Sequence, residues 1–394
     1  MHGRGYVQQG EHLAAAYLRG RLRQLGLQPL APDYTQPFTL DVNTFPGRMA
    51  LAANNVTGLH GGGTLQPGQD FIAAPNSSTH NALYSQLLTL DTLVFSNADT
   101  AAAWAHRSYY HKTLVLTSRD QAQWARLPPT LRQHLDSAAQ VVLVPKLTAS
   151  LAGNQAVRPR FEVLANRWPS GKNLAHWQID AQLRYHYPTQ NLAAIVRGTA
   201  QPDSFLVVSA HYDHLGMMGK NTYFPGANDN ASGVALLLEL AAHYAQLANR
   251  PAYSVVFLLF GAEEAGLVGS SYFVQHPLVP LARIRFLLNL DLLGTGEEGA
   301  TIVNGRVHEA AFARLTALNA THHYLPRLTA RGRAANSDHF PFSEVGVPAF
   351  FMYTRGGSPA YHDVNDQPAA LSLAGFAGAF GLARDFLNEL GAAH

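Results

Sequence analysis

Four short apolar runs in the second half of the chain end in side chains able to hold a metal or move a proton. Phe205 to Ala210 runs into His211 and Asp213, and Tyr253 to Phe260 runs into Glu263 and Glu264. Arg283 to Leu290 ends at Asp291. Pro348 to Tyr353 leads through Gly356-Gly357-Ser358 to Tyr361, His362, Asp363 and then Asp366. A further carboxylate, Asp229, stands just ahead of an apolar stretch from Val234 to Tyr244. Imidazoles and carboxylates together make a hard nitrogen and oxygen donor set, suited to zinc without thiolates. Each residue alone has a plainer reading. With 19 histidines in the chain, His211 by itself reads first as a surface or hydrogen-bonded ring. Asp229 could cap a helix, and Glu263-Glu264 could be a solvated pair at a helix start. The conjunction carries the reading, because independent strand ends rarely all finish in such groups.

Positioning these residues is the task of the elements around them. The runs are almost continuously apolar, as in Ser254-Val255-Val256-Phe257-Leu258-Leu259-Phe260, which is the pattern of strands covered on both faces. Helical stretches lie between and after them, at Gly233 to Leu247, Val268 to Gln275, His308 to Asn319 and Leu373 to Leu390. This alternation predicts a three-layer α/β fold with a mainly parallel central sheet. Such sheets bind ligands at the carboxyl ends of their strands, where the acids and histidines stand. Upstream, the spacing of Leu13, Ala16, Tyr17, Leu22 and Leu25 predicts a helix over residues 10 to 25 with Gly26 as its stop. Phe38 to Val42 alternates like a strand, and Asn191 to Gly198 reads as another. From about residue 46 the texture changes. Gly61-Gly62-Gly63 and Pro67-Gly68 mark turns, and short apolar segments follow at Thr92 to Phe95, Thr113 to Thr117 and Val141 to Pro145. The expectation is an inserted, strand-rich accessory domain over residues 46–177, interrupting a catalytic domain made of residues 1–45 and 178–394.

Composition narrows the class. The 394 residues are 47% hydrophobic, enough for a sizeable core. Only 14% are charged, below the roughly 25% usual in globular chains. A net charge of +2 with no basic block gives no case for nucleic acid. There is no cysteine, so disulfides and thiolate ligands are excluded. No apolar run reaches the roughly 18 residues of a membrane span. The opening Met1-His2-Gly3-Arg4-Gly5 lacks the apolar core of a signal peptide. Location stays open, with export the leading expectation.

The order of the chemical residues resembles a known family. His211-Tyr212-Asp213, Gly226-Ala227-Asn228-Asp229-Asn230-Ala231-Ser232-Gly233, Ala262-Glu263-Glu264-Ala265-Gly266-Leu267-Val268-Gly269-Ser270, Asn289-Leu290-Asp291 and His362 look like the motifs of the co-catalytic di-zinc aminopeptidases. These are the exopeptidases related to bacterial leucyl aminopeptidase and glutamate carboxypeptidase. Gly3-Arg4-Gly5 and the segment to Gly26-Leu27-Gln28-Pro29 resemble the family's opening. The resemblance implies two zinc ions, peptide substrates and a role for each position. His211 and Asp291 would bind one ion, Glu264 and His362 the other, and Asp229 both. Glu263 would be the general base acting on a metal-bridging water. Asp213 would orient His211, and Asp366 would do the same for His362. Two ions about 3.5–4 Å apart can activate water and stabilise the oxyanion together, and a ligating histidine usually donates its other N–H to such a partner. The resemblance also implies a cis peptide bond at Asp229-Asn230. Ser337-Asp338-His339-Phe340 looks like a segment on the substrate side, Tyr361 is a candidate oxyanion donor, and Gly356-Gly357-Ser358 could form a rim.

The position of the insertion matches a protease-associated domain, and no catalytic residue is expected in it. Most consistent is a zinc aminopeptidase. A carboxypeptidase or dipeptidase on the same scaffold would need a basic group for the substrate carboxylate, with Arg331, Arg333 and Arg355 available. A glutaminyl cyclase would use one zinc, and receptor-like binding proteins lose ligands, whereas none of the five ligand positions is missing here.

Overall fold

A computed structural model describes residues 2–55 and 63–392, so Gly61 and Gly62 of the expected turn lie outside the described residues. The chain builds two large sheets. The first has nine strands, in the order Gln28–Pro29, Gln182–Val196, Tyr253–Phe260, Gln201–His211, Ile284–Leu290, Ala349–Arg355, Gly299–Val303 and Leu328–Ala330, with Thr35–Thr44 also pairing with Gln182–Val196. The four central strands, Tyr253–Phe260 through Ala349–Arg355, are parallel. Their flanks pair antiparallel, at Gln182–Val196 on one side and Gly299–Val303 on the other. The sheet is therefore mixed, and its parallel part is the part that carries the chemical residues.

Alternation along these strands sends successive side chains to opposite faces. Val255, Phe257 and Leu259 join one core, with Leu206 and Val208; Val256, Leu258 and Phe260 join the other, with Phe205 and Val207. Helices Gly10–Gln24, Gly233–Ala245, Glu309–His322 and Phe376–Gly391 cover the first face. Helix Val268–Gln275 and the short helix His339–Glu344 cover the second through Phe273 and Phe342. The expected three layers are present. Helix Gly10–Gln24 stops as expected, with Gly26 in the left-handed region at φ 74°.

The second sheet has eight strands, running in the chain from Met49–Asn54 to Leu174–Ile179. It has its own core, which includes Leu114, Val141, Phe161 and Trp177. Thr113 to Thr117 lies in strand Lys112–Thr117, and Val141 lies in strand Ala139–Val144. Thr92–Phe95 is not a strand. It is a single tight helical turn started by Asp91, whose carboxylate accepts from the Leu93 N–H and so favours a turn over an extended chain. Helices Ala98–Ala105, Ser118–Gln123 and Pro129–Leu135 make this unit mixed rather than purely stranded. Leu215, Met218 and Phe224, from the other half of the chain, complete its core. No helix among the described residues is long and apolar enough to cross a membrane.

Candidate metal centre

The carboxyl ends of the central strands converge as the sequence predicts. His211 ends its strand, Asp291 follows Leu290, and Glu263 and Glu264 sit in the turn after Phe260. Asp229 lies in a wide helical turn, Ala227–Ser232, ahead of helix Gly233–Ala245. Its side chain does not cap that helix. One carboxylate oxygen faces His211, with Oδ1 3.3 Å from Nε2, and the other faces His362, with Oδ2 3.2 Å from Nε2. Asp291 Oδ1 lies 3.5 Å from His211 Nε2, and Glu264 Oε2 lies 3.0 Å from His362 Nε2. Two half-sites thus share one carboxylate. The peptide bond Asp229-Asn230 is cis, as expected.

Burial makes this cluster electrostatically incomplete. His211, Asp229 and Asp291 are at most 5% exposed. Burial opposes charge on His211, but Asp291, Glu263 and Asp229 outweigh it and hold the ring's pKa well above its ordinary value. The same contest at His362, won by Asp229 and Glu264, raises it to about 11. Burial and Asp229 disfavour ionised Glu264, yet His214 and His362 bring it down to about 2. Burial, aided by Asp338, Glu264 and Asp291, pushes Glu263 well up. Asp291 Oδ1 is buried with no hydrogen-bond partner. The carboxylates draw positive charge onto both rings, and divalent cations would supply it with the rings neutral. The donor set fits metal on those grounds.

Several partners differ from expectation. The Asp213 carboxylate stands 3.8 Å from His211 Nδ1, while its main-chain oxygen is at 3.2 Å and takes the orienting contact. The carboxylate instead accepts from the Glu263 N–H at 3.1 Å and the Tyr6 hydroxyl at 3.3 Å, and burial pushes its pKa up to about 7. It therefore shapes the turn that carries the proposed base. Asp366 does not touch His362. It accepts from the N–H groups of Asn228 and Asp229, at 2.8 and 3.0 Å, and so fixes the shared ligand's backbone. His362 Nδ1 is 2.7 Å from the main-chain oxygen of Ala149, which belongs to the inserted unit. Asp338 and His339 are fully buried and are not among the residues lining the cavity beside the cluster. They open the short helix His339–Glu344, and His339 lies against Phe351, its ring centroid 5.5 Å away.

Other residues escaped the sequence reading. His214, fully buried, holds Glu264 with Nδ1 2.6 Å from Oε1. The half-buried Arg4 donates to four main-chain oxygens, those of Tyr212, Pro225, Gly226 and Asp229, at 2.7 to 3.1 Å. A chain of hydrogen bonds runs from Ser209 to Asn289, from Asn289 to Ser337, and from Ser337 to Asp291 Oδ2, at 2.7, 2.8 and 2.8 Å. Asn228, Asn230 and Ser232 stitch the Asp229 turn to residues 290–294. Apart from His214, these residues stand in the sequence stretches singled out above, but nothing there gave their partners.

Beside the cluster lies a cavity of about 210 Å³, lined by His211, Asp229, Glu263, Asp291 and His362 and walled by Leu292, Asn336, Phe351, Tyr353 and Tyr361. Among the described residues lining it are three carboxylates and no lysine or arginine. Arg333 pairs with Glu344, and Arg355 lies 3.4 Å from Glu298; these two and Arg331 stand outside the lining. Tyr361 stacks on His362 with ring centroids 4.0 Å apart.

Comparison with known proteins agrees with this geometry. Residues 191–386 match the description Peptidase family M28. Aminopeptidase YwaD of Bacillus subtilis (strain 168) is 31% identical over 240 residues, which is 57% of this chain and 49% of that protein. Leupeptin-inactivating enzyme 1 of Streptomyces exfoliatus is 32% identical over 155 residues, 39% of this chain and 33% of that protein. The chain spans about half the length of the first of these relatives and a third of the second. The solved structure of BSAP, a zinc aminopeptidase from Bacillus subtilis, superposes with a TM-score of 0.70 over 98% of this chain and 90% of that one, at 19% identity. That likeness is one of fold. Through residues 191–386 the chain belongs to peptidase family M28.

Proposed function

We propose that this member of family M28 is a zinc-dependent aminopeptidase that removes the N-terminal residue from peptides. One observation carries the reading of two ions: Asp229 turns a separate carboxylate oxygen to each of two histidines, His211 and His362. His211 and Asp291 would hold one ion, Glu264 and His362 the other, and Asp229 both. When bound, zinc supplies Lewis acidity, easing ionisation of a water and neutralising charge on the carbonyl oxygen under attack. Glu263, in the cavity wall, takes the proton of the attacking water and passes it to the leaving amine. Tyr361, which lines the cavity, would donate to the developing oxyanion. The cavity's carboxylates favour a free α-ammonium group, and the lack of a lining arginine or lysine disfavours a C-terminal carboxylate. Phe351, Tyr353 and Leu292 offer an apolar wall to the first side chain. Residues 46–177 are read as a protease-associated-like domain beside the entrance.

The zinc-loaded protein should cleave aminoacyl chromogenic amides and leave their N-acetylated forms intact; the opposite preference would reject the aminopeptidase reading. Glu263→Gln should keep its zinc, measured by elemental analysis, and lose on the order of 10²–10⁴-fold in kcat. Near-normal turnover would remove Glu263 from its role as base.

A further inference from the structure

We propose that the segment Lys146 to Ala149 of the inserted unit is a positioning element of the metal centre, fixing the backbone and the ring of His362. The inference rests on His362 being a metal ligand. Three observations support it. The Ala149 carbonyl oxygen lies 2.7 Å from His362 Nδ1, and the Ala149 N–H donates to the His362 carbonyl at 3.1 Å. A carbonyl oxygen can only accept, so Nδ1 must carry the proton. In the neutral ring, the form that can ligate a metal, the Nε2 lone pair is then aimed at the region between Asp229 and Glu264, 3.2 and 3.0 Å away.

Second, His362 sits in the left-handed region, at φ 53°, where a non-glycine residue persists only if its surroundings hold it. The two bonds to Ala149 close on that residue from both its backbone and its ring.

Third, the contact is one rung of a longer seam. Lys146 Nζ donates to the Pro359 carbonyl at 2.8 Å, Ala149 is 1% exposed, and the Asn43 N–H donates to the Ala152 carbonyl at 2.7 Å. Val364, two residues past the ligand, packs on the core of the inserted unit. The loop bearing Tyr361 and His362 is thus held from the side by the insertion, while His211 and Asp291 draw their support from Asp213 and Ser337, outside the insertion. The consequence is an asymmetric centre, with one half-site dependent on the docking of the insertion and the other independent of it.

The test is zinc titration of the metal-free full-length protein by calorimetry, with cobalt absorption as a second readout. The wild type should bind two ions. Ala149→Pro, which removes the N–H bond to His362, should weaken one ion by roughly 10–100-fold and leave the other unchanged. Inserting one glycine between Thr148 and Ala149, which moves the carbonyl out of register, should do the same. Folded variants that bind both ions like the wild type would overturn the proposal. If both variants fail to fold, nitrogen-15 spectra of zinc-loaded wild type decide. Metal on Nε2 of His362, with a slowly exchanging proton on Nδ1, supports the proposal, and metal on Nδ1 overturns it. Two ions bound unchanged by His362→Ala would instead reject His362 as a ligand, a separable failure.

Discussion

Ser337 bears no charge and lies outside the cavity lining, yet its hydroxyl is the last donor in the chain from Ser209 to Asp291. With Asp291 Oδ1 unpartnered, that one bond sets which way the carboxylate turns. Ser337→Ala should therefore lower zinc affinity about 10–100-fold while costing only about 1 kcal/mol of stability. Calorimetric titration beside a thermal melt separates the two, and an unchanged affinity would reduce Ser337 to a packing role. At this scale the sequence was legible for residues whose chemistry announces them. His211, Asp229, Glu263, Glu264, Asp291 and His362, singled out as acids and imidazoles near strand ends and in the quoted motifs, lie together in one cluster. Their supports were not legible. Ser337, Arg4 and His214 are ordinary residue types whose partners lie far off in sequence, and the partner of His362 is a backbone oxygen with no side-chain signature. Asp366 was noticed and assigned to the wrong neighbour, because spacing of four residues suggests proximity to His362 without giving direction.

Helix Val268–Gln275 begins directly over the end of the strand that delivers Glu263. A Cβ on Gly269 would stand 2.1 Å from the Gly261 carbonyl oxygen and 2.4 Å from Asn191 Oδ1, both fixed in the sheet. Gly269→Ala should push the helix away from the strand end and cost about 1–3 kcal/mol. Because Glu263 and Glu264 lie in the chain between Gly261 and Gly269, kcat should fall as well, and a melt paired with kinetics checks both. Full activity at a lowered Tm would mean that the turn is insulated from the helix. Elements were the most readable level, since the 3.6 and 2 periodicities settled most of them, including Val268–Gln275 and the central strands. Thr92–Phe95 stays undecided in the sequence, because its three apolar residues fit a strand or a tight turn equally well. There Asp91 decided.

At the scale of the whole molecule, acid stability turns on charge taken into the interior. Burial pushes His339 down to about 4, so the folded protein keeps this ring neutral. Below its ordinary value near 6.5 the unfolded chain gains a proton that the folded one refuses. Stability from this ring is full above pH 6.5 and is lost as pH falls toward 4, by up to about 3 kcal/mol. Denaturant melts of wild type and His339→Leu should converge over that window, and parallel curves would clear His339 of the effect. The two-sheet architecture was legible from the change of texture near residue 46. The interlocking of the sheets was not, because Leu215, Met218 and Phe224 look like any other apolar residues.

Arg4 reaches main-chain oxygens 208 to 225 positions away, and His362 reaches 213 positions back to Ala149. Contacts that span most of a chain are the slowest to close, since each encloses a long loop. The helices and the apolar strand centres can collapse while the donor groups are still strangers to one another. The candidate metal centre is then the last part of the fold expected to assemble, after the sheets and helices that carry it.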